Sequence, residues 1–149
     1  MGFESVIFRE YDIRGVFLKQ FDLEFATLLG RALVTYQAIK CNNSKPHITL
    51  GYDARLSSPS IVKALELGIT TSGGNVTHLG LITTPMSNFS TFALSDVDGA
   101  IMVTGSHNPP EYNGFKISVG QSTIFGEEIK FLEKIIADKN FLTGNGSVR

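Results

Sequence analysis

The segment HITLGYDARLSSPSIVKALELGITTSGGNVTHLGLI, residues 47–82, identifies the fold class of this chain. Its apolar start predicts a strand over His47–Tyr52, and the run Asn75–Ile82 predicts a second one. Between them, Ser58 is the predicted cap and Pro59 the start of a helix that ends at Gly73-Gly74. Strand, helix and strand in this order predict a parallel βαβ unit and hence an α/β layered fold.

The sequence on either side continues this alternation. Upstream, Asp22 is the predicted cap of a helix that runs to about Ile39. The predicted downstream elements are a helix opening at Thr84-Pro85, a strand over Gly99–Thr104, a strand over Phe115–Val119, a helix from Gly126 to about Lys139, and a flexible tail over Phe141–Arg149.

The connection between the last two predicted strands is short. Only Gly105–Asn113 separates them, which is fewer than the dozen or so residues that a parallel crossover needs. The final strand should therefore run antiparallel to its neighbour. We predict a three-layer α/β/α fold with a mixed, mostly parallel sheet and one antiparallel strand.

The composition excludes several classes of protein. The 149 residues carry 13 Lys and Arg against 14 Asp and Glu, so no broad basic field favours nucleic acid. No apolar run reaches the length of a membrane span, and the N-terminus lacks the pattern of a signal peptide. Cys41 is the single cysteine, which excludes an internal disulfide and predicts a cytoplasmic location.

The segment TGSHNPPEYNG, residues 104–114, places a serine at the end of a predicted buried strand. Pro109-Pro110 bars a helix, and Asn113-Gly114 is typical of a turn. A serine hydrolase elbow would need glycines where Thr104 and Asn108 stand, so that chemistry is disfavoured.

A metal site built from this chain alone is also disfavoured. His107 and Glu111 are four residues apart, but the prolines between them forbid the helix that would align the pair. The run Asp96-Val97-Asp98-Gly99 lacks the further oxygen ligands of a calcium loop and is more typical of a turn.

Phosphate chemistry fits better, because cations recur near strand ends. The candidates are Arg14, Arg55 and Lys116. Since the carboxyl ends of parallel strands share one crevice, Asp53 and Arg55 should lie on the same side as Ser106. Taken singly, each cation is more often a solvated or salt-bridged surface residue, and Asp53 and Arg55 could simply pair with each other to hold a loop.

The segment Thr104–Lys116 resembles the active-site phosphoserine loop of the α-D-phosphohexomutase superfamily. Phe8–Gly15 is similar to the opening motif of its phosphomannomutase/phosphoglucomutase branch, and Gly51-x-Asp53-x-Arg55 and Thr84-Pro85 also match the family pattern. The resemblance covers the chain from Phe8 to about Lys139.

The resemblance implies a role for each matching residue. Ser106 would be the phosphorylated serine that exchanges a phosphoryl group with a hexose phosphate through a 1,6-bisphosphosugar. Arg14 and Lys116 would be active-site cations, with Lys116 also a proton shuttle. Tyr11 would contact the substrate, although this residue taken alone is more typical of a core aromatic whose hydroxyl reaches the surface. His107 would donate a hydrogen bond to the phosphoserine, and Asn108, Asp53 and Arg55 would support the loop.

The family's other motifs are absent from this chain. In the family, Mg²⁺ is held by the phosphoserine together with an Asp-Gly-Asp-x-Asp loop of the second domain, and that loop does not occur here. The resemblance therefore implies domain I over residues 1–140, a tail or linker over 141–149, and domains II to IV missing from this chain. Implied partners are hexose phosphates, the remaining domains of the same polypeptide, and glucose or mannose 1,6-bisphosphate as activator. A complete, non-catalytic module that binds phosphosugars or other anions is the alternative.

Overall fold

A computed structural model describes residues 2–149 of the chain. Its four helices, α1 to α4, cover Leu23–Cys41, Ser58–Thr71, Thr84–Ala93 and Glu127–Asp138. Its six strands, β1 to β6, cover Ile13–Val16, His47–Tyr52, Asn75–Leu81, Gly99–Val103, Tyr112–Val119 and Ser122–Thr123. Within residues 2–149, no helix combines the length and the apolar character needed to cross a bilayer.

The sheet has the strand order β1-β5-β4-β2-β3, with the short β6 paired to β5. β2 pairs in parallel with β3 and β4, whereas β5 pairs antiparallel with β4 and β1. β1 thus runs in the same direction as β4, and β5 runs against both of its neighbours. The predicted mixed sheet with one antiparallel strand is confirmed, and that strand lies inside the sheet.

The strand β1 was not predicted from the sequence. It has only four residues, of which Ile13 and Gly15 are buried and Arg14 and Val16 are partly exposed. This two-residue alternation is the signal that could have revealed it. The position of β1 beside β5 is what carries Arg14 to the loop that follows β4.

The turn predicted at Asn113-Gly114 is wrong, because both residues lie within β5. Gly114 faces Arg14 across the β1–β5 pair, and a Cβ atom there would meet the Ile13 carbonyl oxygen at 2.4 Å. The glycine therefore permits two strands to approach closely. The Asn113 side chain donates to the Ser57 and Ser58 hydroxyls, at 2.9 and 3.0 Å, and so ties β5 to the start of α2.

The helix starts follow the sequence with one exception. Asp22 accepts a hydrogen bond from the Phe25 amide at 3.0 Å, as expected of a cap. Ser58, predicted to cap α2, is instead its first residue, and its hydroxyl donates to Asp53 at 2.8 Å. The serine hydroxyl is thus used by the β2–α2 loop and not by the helix end.

The main core lies between one face of the sheet and the helices α1, α2 and α4. α1 packs against α2 and α4, and α2 contacts β2, β3 and β4. Gly30 and Gly68 permit the close crossing of α1 and α2, since a Cβ atom on Gly68 would lie 2.0 Å from the Thr27 carbonyl oxygen. Ile48 and Leu50 of β2 point into this core and are fully buried.

The opposite face of the sheet is covered by α3, which contacts β2 and β4. Thr49, between the two core residues of β2, points to this side, and its hydroxyl lies 2.8 Å from that of Ser90. Beside α3, over Met102 and Lys116, a cavity of about 300 Å³ opens. The layers therefore leave part of this face accessible next to the predicted site.

The C-terminal segment 141–149 differs from the free tail that its glycines predict. The Val76 amide of β3 donates to the Ser147 carbonyl at 2.8 Å, and the Arg149 amide donates to the Val76 carbonyl at 2.8 Å. The segment thus occupies backbone groups that an edge strand leaves open. A Cβ atom on Gly146 would lie 1.7 Å from the Gly74 carbonyl oxygen, so this glycine permits contact and not merely flexibility.

Candidate functional site

Ser106 lies in the loop between β4 and β5, exposed at the carboxyl end of β4. Its φ angle of 54° is in the left-handed region, which a residue other than glycine adopts only at a cost. The Ser106 amide donates to the Thr104 hydroxyl at 2.9 Å, and that hydroxyl donates to Asp53 Oδ2 at 2.8 Å. A chain of two hydrogen bonds therefore holds the serine in this conformation.

Arg55 binds the backbone of the same loop. Its Nη1 atom donates to the carbonyls of Pro109 and Tyr112, at 2.6 and 3.0 Å. Its Nη2 atom donates to the carbonyls of Ser106 and Asn108, at 3.0 and 2.8 Å. The loop has two prolines and few internal backbone hydrogen bonds. One planar guanidinium therefore holds its backbone in place.

The Asp53 carboxylate orients Arg55 and also accepts hydrogen bonds from the hydroxyls of Ser58 and Thr104. Its Oδ2 atom accepts from Arg55 Nε at 3.1 Å, so the two residues do pair, as one of the readings of the sequence held. Burial would raise the pKa of the Asp53 carboxyl, but hydrogen bonds from Thr104 and Ser58, the Arg55 amide and the Arg55 charge together lower it. The carboxylate therefore stays ionised where its charge is needed to hold the arginine.

Gly105 makes room for this arrangement. A Cβ atom at this position would lie 2.4 Å from Arg55 Cζ, so any larger residue would collide with the guanidinium below the loop. The glycine beside the serine is thus required by the arginine that orders the loop.

Arg14 approaches Ser106 from β1. Its Nη2 atom donates to Ser106 Oγ at 3.1 Å, and its Nη1 atom donates to Asn108 Oδ1 at 2.6 Å. The same guanidinium pairs with the Asp12 carboxylate. The side chain of Asn108 therefore holds Arg14 against the serine, while its backbone amide donates to Gly105 within the loop.

Lys116 lies on the same face of the sheet, two residues after the partner of Arg14 in β5. Its Nζ atom is 3.5 Å from Asp12 Oδ2, so Asp12 lies between the two cations. Asp12 is buried, and the sequence analysis did not select it. Its signal was the spacing Asp12-x-Arg14, which puts both side chains on one face of a strand.

Tyr11 and His107 are both accessible. Tyr11 is 71% exposed, which excludes the core position that the sequence left open. It lines the 300 Å³ cavity together with Lys116. His107 is exposed in the loop next to Ser106. The structure thus brings Ser106, Arg14 and Asn108 into direct contact, with Lys116 and Tyr11 around the adjoining cavity.

Metal ligands are scarce at this site. Among the residues described, no group of three or more His, Cys, Asp or Glu side chains is placed to hold a metal ion. Asp12, the nearby buried carboxylate, pairs with Arg14 and Lys116. The arrangement as it stands suits an anion, such as a phosphate, next to Ser106.

Comparisons with known proteins agree on one family. The sequence model of the family described as phosphoglucomutase/phosphomannomutase, alpha/beta/alpha domain I, matches residues 5–143. A phosphoglucomutase of Neisseria gonorrhoeae is 41% identical over 145 residues, which is 95% of this chain and 30% of the relative. A phosphomannomutase/phosphoglucomutase of Pseudomonas aeruginosa is 39% identical over 142 residues, again 95% of this chain and 30% of the relative.

A solved structure supports the same match. The crystal structure of a phosphoglucomutase/phosphomannomutase family protein from Burkholderia thailandensis superimposes with a TM-score of 0.90 at 39% sequence identity. The match covers 99% of this chain and 33% of that one. The chain thus spans about a third of the length of the proteins that it resembles.

Proposed function

Because the chain belongs to the phosphoglucomutase/phosphomannomutase family, as its α/β/α domain I, we propose that it carries the phosphoserine of a hexose phosphate mutase. In this proposal the bond between Ser106 Oγ and phosphorus breaks, and a bond forms between phosphorus and a hydroxyl oxygen of the sugar phosphate. The product is a 1,6-bisphosphosugar, whose other phosphoryl group then returns to Ser106. The net reaction interconverts hexose 1-phosphate and hexose 6-phosphate.

The observation that carries the proposal is the contact between Arg14 and the Ser106 hydroxyl. A phosphoserine carries a charge of about −1.5 to −2 at neutral pH and meets a substrate phosphate of the same sign. Phosphoryl transfer depends mainly on positioning and on neutralising charge on the transferred group. Arg14 is fixed by Asn108 where a phosphate on Ser106 would need a cation.

The remaining residues have roles of support and of substrate contact in this proposal. Lys116 would neutralise charge and shuttle a proton between the sugar hydroxyl and Ser106 Oγ. Tyr11 would contact the sugar from the wall of the cavity that both residues line. His107 would donate a hydrogen bond to the phosphoserine. Arg55 and Asp53 would keep the loop in place without touching the substrate.

Mg²⁺ belongs to the proposal only through residues outside this chain. The described part of the chain has no cluster of ligands that fits the ion, and a phosphate on Ser106 would supply one oxygen donor. The other ligands, and much of the sugar site, would come from further domains of the same polypeptide. A bisphosphosugar as activator and a cytoplasmic location complete the proposal.

The test uses the full-length protein and the variant Ser106→Ala. We expect the parent to interconvert glucose or mannose 1-phosphate and 6-phosphate when primed with the bisphosphosugar, and its intact mass to include one phosphate that maps to Ser106. Ser106→Ala should lack both. A variant that retains full activity would overturn the proposal. The 149-residue chain alone should turn over substrate far more slowly, because most positioning groups are missing.

The alternative is a self-standing module that binds phosphosugars or other anions. It is favoured by the cations Arg14 and Lys116 in a chain without a metal cluster among its described residues. Sugar phosphate binding that is lost in Arg14→Ala and unaffected by Ser106→Ala would support it. A stop codon after Arg149 in the coding sequence would support it too, whereas an in-frame Asp-Gly-Asp-x-Asp segment would support the mutase.

A further inference from the structure

The helix α3 buries polar side chains and exposes apolar ones. The residues that it turns toward the sheet are Ser87, Ser90 and Thr91, which are all buried. The residues that it turns outward are Met86, Phe89 and Phe92, which are 55%, 65% and 54% exposed. A helix on the surface of a domain normally buries its apolar side and exposes its polar side.

The polar contacts on the inner side of α3 are satisfied. The Ser90 hydroxyl donates to the Ser87 carbonyl at 2.6 Å and lies 2.8 Å from the hydroxyl of Thr49 in β2. The Ser90 hydroxyl thus joins the inner side of α3 to the sheet, and rotating the helix to bury its phenylalanines would break the contact between Ser90 and Thr49. The outward position of the apolar residues is therefore a fixed property of the fold.

The exposed apolar residues of α3 continue into the segments on both sides. Leu81, at the end of β3, and Leu94, just after α3, are exposed as well. We call Leu81, Met86, Phe89, Phe92 and Leu94 the α3 apolar surface. It borders a cavity of about 410 Å³ lined mainly by apolar side chains. No Lys, Arg, Asp or Glu occurs anywhere in residues 79–95.

Contiguous apolar surface of this kind is typical of an interface and not of a face that meets water. Because residues 79–95 carry no charged side chain, the partner surface that fits them is itself uncharged and apolar. A charged residue of the partner would lose its hydration there and would find no charge of opposite sign, which is unfavourable.

We propose that the α3 apolar surface is covered by the domain that follows Arg149 in the full-length polypeptide, and this rests on the proposed function. Two observations select this occupant. The relatives are about three times as long as the region that matches this chain, which covers 30% of them. Arg149 also ends beside the surface, because its guanidinium lies 2.6 Å from Asp96, three residues after α3.

The direction of the C-terminal segment adds to this argument. Residues 144–149 run parallel to β3, with Ser72 opposite Gly144 and Val76 opposite Val148. A chain that continues in this direction would pass toward Leu81, at the carboxyl end of β3. A domain that begins there starts next to the α3 apolar surface and would bury it with a short connection.

Hydroxyl-radical footprinting of the 149-residue chain and of the full-length protein tests the proposal. We expect Met86, Phe89 and Phe92 to be labelled in the short chain. In the full-length protein their labelling should fall to the level of Met102, which is 3% exposed. Leu67 on α2, 55% exposed, is the matched apolar control and should be labelled equally in both.

Three outcomes would overturn the proposal. They are equal labelling of α3 in both proteins, protection in the full-length protein that disappears on dilution to a monomer, and a coding sequence that ends at Arg149. The second outcome would mean that another copy of the protein covers the surface. Phe89→Glu in the full-length protein should restore labelling at Met86, whereas Leu67→Glu should not. Because this readout is independent of Ser106, the proposed function can fail separately.

Discussion

The guanidinium of Arg14 donates to the hydroxyl of Ser106 across 3.1 Å, although the two residues are 92 positions apart in the chain. The contact exists because β1 pairs with β5 at the edge of the sheet, which brings Arg14 to the loop between β4 and β5. Asn108, two residues after the serine, accepts from the same guanidinium and fixes its position. Serine, asparagine and arginine thus form one hydrogen-bonded cluster, and it is beside this cluster that we propose the phosphate binds.

Removing Arg14 should impair transfer to and from Ser106 more than it impairs folding. For Arg14→Ala in the full-length protein we expect kcat/KM to fall by roughly 10²- to 10³-fold, the range for loss of one preorganised donor in an active site. Arg14→Lys should recover part of the loss, because it restores charge without the second hydrogen bond to Asn108. Steady-state assays measure this, with Lys63→Ala as the control, because Lys63 is an exposed residue of α2. Wild-type activity in Arg14→Ala would contradict the prediction.

Replacing Arg55 should loosen the serine loop, although Arg55 itself makes no contact with the substrate in the proposed function. Lysine cannot reach the four carbonyls that the planar guanidinium binds, so we expect Arg55→Lys to destabilise the fold by about 2 kcal/mol. Amide hydrogen exchange should accelerate at Asn108 and Tyr112, whose amides donate within the loop. Amides of β2 serve as the internal control. Unchanged exchange in the loop would show that the prolines suffice to order it.

Much of the fold could be predicted because its signals are local. Asp22, Pro59 and the apolar spacing of the helices act within a few residues, and so their positions follow from the sequence. The strand β1 could not be predicted with the same ease, since its four residues become a strand by pairing with β5. The burial of polar side chains on α3 could not be predicted either, because only the packing of α3 on the sheet decides which side of the helix faces inward.

The site divides in the same way. Ser106, Arg14 and Arg55 stood out because a serine loop and nearby cations suit phosphate chemistry. Thr104 and Asp12 did not, because a threonine at a strand end and an aspartate near an arginine are common in any sequence. Their importance comes from contacts across the fold, namely Thr104 with Asp53 and Asp12 with Lys116.

Thr104 should prove to be a positioning residue for Ser106. In Thr104→Val the Ser106 amide and the Asp53 carboxylate each lose a partner, so we expect a loss of about 1–3 kcal/mol in stability and less phosphate on Ser106. Thr104→Ser keeps the hydroxyl and should restore both. Urea unfolding and intact mass after incubation with the bisphosphosugar measure the two effects. A serine variant as impaired as the valine variant would show that the methyl group matters and not the hydroxyl.

Asp53 should make the stability of the chain depend on acid pH. Its pKa is lower in the folded state than the usual value of about 3.9 in an unfolded chain. The stability that it contributes is therefore fully present above that value and is lost as the pH falls through the folded pKa. Asp53→Asn should be less stable near neutral pH and should lose less stability on acidification. Urea unfolding across acid pH measures this, with Asp138→Asn on exposed α4 as the control. Parallel stability curves for Asp53→Asn and the parent would show that the carboxylate is not the group that acid protonates to loosen the loop.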